Sequence, residues 1–74
     1  MSKMIYSKDH KNIVEHLKRA RIEAGLEQKQ VADKLGKTQS YISKIESGQR
    51  RLDVVQLKAF ARIYKKDLNY FIKQ

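Results

Sequence analysis

Between Gln28 and Gly48 the chain reads QKQVADKLGKTQSYISKIESG, and few architectures satisfy that pattern. Val31, Ala32 and Leu35 fall at i, i+1 and i+4, one face of a helix. Gly36 then stops that helix, because a residue without Cβ enters the left-handed conformation cheaply. Thr38 stands where an N-cap belongs, its hydroxyl placed for an orphan N–H of the next helix. Ile42 and Ile45, at i and i+3, draw a second apolar stripe, and Ser47-Gly48 closes that helix. Gln39, Ser40, Tyr41, Ser43 and Lys44 are left on its other side. The pattern predicts two short helices joined by a tight turn. The second helix carries side chains of the right length and chemistry for base edges and phosphates.

The charge balance agrees. Lys and Arg number 17 against 8 Asp and Glu, a formal charge of +9. That favours a polyanion, nucleic acid before an anionic membrane. A chain of 74 residues makes one small domain. A domain of that size buries only about 60% of its unfolded surface, so a second subunit would add needed stability. The absence of Cys excludes a disulfide framework, a thiolate zinc site and a thiol nucleophile. Met4-Ile5-Tyr6 is too short for a signal peptide or a membrane span, which predicts a cytoplasmic location and no membrane partner. With no Pro, little Gly and apolar spacings of three or four, the fold class expected is all-α.

Arg21-x-x-x-Gly25-Leu26-x-Gln28-x-x-x-Ala32-x-x-x-Gly36, followed by Ile42-Ser43-x-x-Glu46-x-Gly48, resembles the helix-turn-helix domain of the phage-repressor and Cro type. That family is also called the xenobiotic-response-element type. The resemblance spans Asn12 to Ile72 and is specific, because small and apolar residues must recur together at many positions. It implies a compact five-helix, lambda-repressor-like DNA-binding domain. It implies that Gln39 is the principal base-reading position, and that Gln28 leans onto a phosphate and supports the first residue of the third helix. Arg21 sits close to the inward stripe of the first helix, and a buried lone guanidinium needs an anion. The resemblance points to Glu46 as that partner, in a structural ion pair that clamps the first helix onto the third. Three features depart from the family pattern. Glu27 replaces the usual Ser or Thr cap and sets a carboxylate where a phosphate would bind; Leu52 replaces Pro; Lys65-Lys66 replaces a glycine-containing turn.

Taken in order, residues 1–8 read as a short arm and 9–74 as a single domain. Ser7 or Asp9 is placed to cap the first helix. Ile13, Leu17, Ala20 and Ala24 then face inward, with Lys11, Lys18, Arg19 and Glu23 outside. Gly25 ends the helix and Leu26 plugs the corner. Asp53 caps a fourth helix whose inward stripe is Val54, Leu57, Phe60, Ala61 and Tyr64. Asp67 caps a last helix, Leu68 to Ile72, with Leu68 and Phe71 inward. Val55, Ile63, Tyr70 and Ile72 are left without an inward place and read as a homodimer interface. Two-fold pairing would set two recognition helices about 34 Å apart, one DNA turn.

Each outward side chain has a definite chemistry. A Gln39 amide complements the N6/N7 edge of adenine, and Lys44 reaches guanine O6/N7 or a phosphate. Ser40 and Ser43 are short and adaptable. Tyr41 suits a thymine methyl, a sugar or, by its hydroxyl, a phosphate; the alternative is a ring packed on its own helix. Gln28, Lys37, Thr38, Gln49, Arg50 and Arg51 are the expected phosphate contacts, which position a protein without reading sequence. The function expected is a sequence-specific transcriptional regulator, a repressor that binds an inverted-repeat operator as a homodimer. Alternatives are an antitoxin, a restriction-modification controller, or an adaptor using the same fold on protein or RNA. An enzyme is not expected. His10 and His16 lie two turns apart on the first helix without a third ligand. No carboxylate pair, nucleophile elbow or phosphate-cradling loop accompanies them. No cofactor, metal or small-molecule ligand is expected.

Overall fold

A computed structural model describes residues 8–72. Residues 1–7, with Met4-Ile5-Tyr6 and the Ser7 cap position, lie outside the described residues, while Lys8, expected in the arm, opens the first helix. Five helices follow in order: α1 (Lys8–Glu23), α2 (Gln28–Leu35), α3 (Gln39–Glu46), α4 (Val54–Tyr64) and α5 (Leu68–Ile72). No strand occurs among the described residues. The fold is all-α, as the spacing predicts.

The helix starts follow from local hydrogen bonds. Thr38 Oγ1 accepts from Tyr41 N at 3.2 Å and opens α3. Asp53 Oδ1 accepts from Gln56 N at 2.8 Å, while Gln56 Oε1 accepts from Asp53 N at 2.8 Å, a reciprocal capping box on α4. Asp67 Oδ1 accepts from Tyr70 N at 3.1 Å at the start of α5. At α2, Gln30 Oε1 accepts from Glu27 N at 2.7 Å. Asp9 belongs to the first turn of α1, inside the helix rather than at its cap, because the helix already runs from Lys8.

Four helices end in one way. Gly25, Gly36 and Gly48 have φ of 73°, 68° and 81°, and Lys65 stands at 57°. In each case the next residue's N–H reaches back five positions: Leu26 to Arg21, Lys37 to Ala32, Gln49 to Lys44 and Lys66 to Ala61. This is the Schellman arrangement, which satisfies the last carbonyls of a helix.

The core is built from Leu17 and Ala20 of α1, Val31 and Ala32 of α2, Ile42 and Ile45 of α3, Leu57, Phe60, Ala61 and Tyr64 of α4, and Phe71 of α5. Helix α2 packs chiefly on α3, and α5 folds back on α1. Several expectations need correction. Ala24 is exposed, because α1 has ended at Glu23 and the chain is already turning. Val14, not on the expected stripe, is buried, and Ile13 is only partly so. Val54 is 64% exposed, since the first residue of α4 projects past the end of the core. Ile63 and Tyr70 pack against the core instead of standing free for a second subunit. The Tyr70 ring meets His16 edge-on at 5.4 Å and Phe71 at 5.1 Å, and Lys66 Nζ lies 4.6 Å from its centroid. No described helix is long and apolar enough to cross a membrane.

Candidate nucleic-acid interface

The interface is assembled around α3. Ile42 and Ile45 have no exposed surface and anchor this eight-residue helix to the core. Gln39, Ser40, Ser43 and Lys44 are exposed on the opposite side. The i, i+3 spacing of the isoleucines dictates this division, because residues three apart on a helix share a face. None of the four exposed side chains enters the core, so all remain available to a ligand laid along α3.

The inner end of α3 is held by a polar network. Arg21 Nε donates to Glu46 Oε2 at 2.8 Å, and Nη2 donates to Oε1 at 3.2 Å. The guanidinium also donates through Nη1 to the Leu26 carbonyl at 2.8 Å. The two side chains are 13% and 5% exposed, so the pair is largely withdrawn from water. Gln28 Nε2 donates to Glu46 Oε1 at 3.1 Å. The Gln28 amide thus braces the end of α3, where the resemblance had it supporting the beginning. Its second N–H stays available for a phosphate. The Tyr64 hydroxyl is buried beside this network and has no hydrogen-bond partner among the described residues. Burial pushes its phenol well above the usual range; Glu46 adds to the shift and Arg21 opposes it.

Tyr41 does not project with its neighbours on α3. It is half-buried against the core, and its hydroxyl accepts from Gln56 Nε2 of α4 at 2.7 Å. Lys37 Nζ lies 5.2 Å from the ring centroid and Arg50 Cζ lies 4.8 Å from it. The structure therefore gathers three of the sequence-predicted residues, Lys37, Tyr41 and Arg50, at one edge of the α3 surface. Thr38, Gln49 and Arg51 are exposed on the same two connections. Gln49 N and Arg50 N both donate to the Lys44 carbonyl, at 2.9 and 3.2 Å, which ties the second connection to α3. Glu27 is exposed at the start of α2. Asp53-x-x-Gln56 is a legible capping box in the sequence, but the contact of Gln56 with α3 leaves no local pattern.

Of the expected dimer residues, Val55 is 76% and Ile72 51% exposed. Ile22, which the sequence does not mark as exposed, is 60% exposed, and Val54, expected inward, is 64% exposed. Among the described residues no group of three or more His, Cys, Asp or Glu is arranged to hold a metal. His16 is half-buried, and its Nδ1 lies 2.7 Å from the Asn12 carbonyl.

The family model described as helix-turn-helix matches residues 17–71. Comparison with curated proteins and with solved structures returned no match.

Proposed function

The chain belongs to the Cro/C1-type helix-turn-helix family of DNA-binding regulators, and from that membership we propose that it is a repressor that binds an inverted-repeat operator as a homodimer. Helix α3 lies in the major groove with Gln39, Ser40, Ser43 and Lys44 against base edges. Lys37, Thr38, Gln49, Arg50, Arg51 and the free N–H of Gln28 hold the flanking phosphates. The observation that carries this reading is the division of α3: two isoleucines with no exposed surface on one side, four uncovered polar side chains on the other. A helix whose polar side served only solubility would not need two cationic connections at its ends. The domain belongs to a regulatory family and not to an enzyme family, and the proposed role requires no catalysis.

The test is selection of binding sites from random duplex DNA. An inverted repeat should emerge. Replacing Gln39 or Lys44 should relax the preference at defined base pairs by ~1–3 kcal/mol each. The slope of log K against log salt should be about −4 to −5 per subunit if four to six phosphates are neutralised. Equal binding to every duplex, with no footprint, would instead make the chain an adaptor on this fold.

A further inference from the structure

Gln56 lies on α4, outside the helix pair that faces DNA, yet its amide touches Tyr41 of α3. The orientation of that amide is not free. Asp53 N is a backbone donor, and it lies 2.8 Å from Gln56 Oε1. The oxygen must therefore occupy that side, and the nitrogen must face Tyr41. At 2.7 Å the phenolic oxygen accepts from Gln56 Nε2. Its own proton must then point away from Gln56. The same ring has Lys37 Nζ at 5.2 Å and Arg50 Cζ at 4.8 Å from its centroid. One hydroxyl proton, one ammonium and one guanidinium thus border a single ring. Two of these groups are cations drawn from the connections on either side of α3, and an anion beside the ring would be attracted by both.

We propose that Gln56 is a positioning residue for DNA binding: it fixes the Tyr41 hydroxyl as a donor to one backbone phosphate, held jointly with Lys37 and Arg50. This rests on the reading of α3 as the groove-facing helix. Of the roles open to Tyr41 in the sequence, a thymine methyl, a sugar or a phosphate, it selects the phosphate. It also ties the clamp to the N-terminus of α4, because the capping box and the Tyr41 contact use the two ends of one amide. The ligand is a phosphodiester in a duplex, and free inorganic phosphate should compete only weakly, since one clamp is a small part of the contact.

The decisive variant is Gln56→Glu. A carboxylate at this third helical position still accepts from Asp53 N, as capping boxes commonly have Glu there, so the fold should stand. Its second oxygen can only accept. It would turn the Tyr41 proton inward and leave the phosphate without that donor. The added negative charge also weakens DNA binding, so the effect is read as a double-mutant cycle with Tyr41→Phe, in which the charge term cancels. The measurement is affinity of the full chain for a mixed-sequence duplex across a salt series, with the cycle compared at one low salt concentration. Tyr41→Phe should weaken binding about three- to tenfold, the worth of one hydrogen bond, with an unchanged salt slope. Arg50→Ala should lower that slope by about 1. Gln56→Glu should cost more in the wild-type background than in the Tyr41→Phe background. An equal cost in both would overturn the positioning role and leave the groove-facing reading intact. A wild-type chain with no salt-dependent duplex binding would overturn both.

Discussion

Glu46 accepts hydrogen bonds from Arg21 and Gln28, and so collects α1, α2 and α3 at one carboxylate. The guanidinium is engaged as a fork on the carboxylate and by its third arm on the Leu26 carbonyl. The Coulomb attraction of such a pair is largely offset by the desolvation of its two charges, so its value lies in geometry more than in net stability. The two directions of change are therefore unequal. Arg21→Ala leaves a carboxylate that is 5% exposed with Gln28 as its remaining partner, and unfolding in urea should show a loss of ~3 kcal/mol or more. Replacing Arg21 and Glu46 together by Met should recover a large share of that loss, because no charge is then left buried. A loss below ~1 kcal/mol for Arg21→Ala would mean that the two groups behave as solvated surface charges.

At the scale of helices, the repeated left-handed stop explains both what could be read from the chain and what could not. Gly25, Gly36 and Gly48 announced three helix ends, because glycine meets no Cβ penalty at positive φ. The fourth end uses Lys65 at φ 57°, and no sequence rule marks a lysine as a stop. Ile63 and Tyr70 were misplaced for a related reason. Periodicity gives the angle of a residue on its own helix, but not how helices distant in sequence, such as the returning α5, bring flanking positions against the core. The polar side of α3 was legible because two isoleucines define it locally. The Tyr41–Gln56 contact joins residues on different helices and leaves no local period. The Lys65 conformation supplies a test. Lys65→Gly removes the Cβ penalty while giving the unfolded chain more freedom, and the net gain should be about 0.5–1 kcal/mol. In a domain of this size that raises Tm by roughly 2–8 °C, measured by thermal circular dichroism. An unchanged or lower Tm would show that the Lys65 side chain contributes something that its exposed position hides.

At the scale of the whole molecule, the proposed second subunit must dock on apolar residues that the chain leaves exposed. Ile63 and Tyr70 are already engaged within one chain. Val54 and Val55 stand together at the start of α4, 64% and 76% exposed, while Ile72 at the end of α5 is 51% exposed. A domain that buries so small a share of its surface gains from covering such residues. Val55→Asp is the sharpest probe, because Val55 contributes almost nothing to its own core. The substituted chain should melt like the wild type at dilution, where both are monomers. At higher concentration the wild type should gain stability by mass action and the variant should not. On an inverted repeat, loss of pairing should weaken binding about 10- to 100-fold, since the second recognition helix no longer arrives at an elevated effective concentration. Binding to a single half-site should change little. Sedimentation that finds the wild type monomeric at every concentration, together with full affinity of the variant for the inverted repeat, would place the two-fold contact elsewhere or remove it altogether.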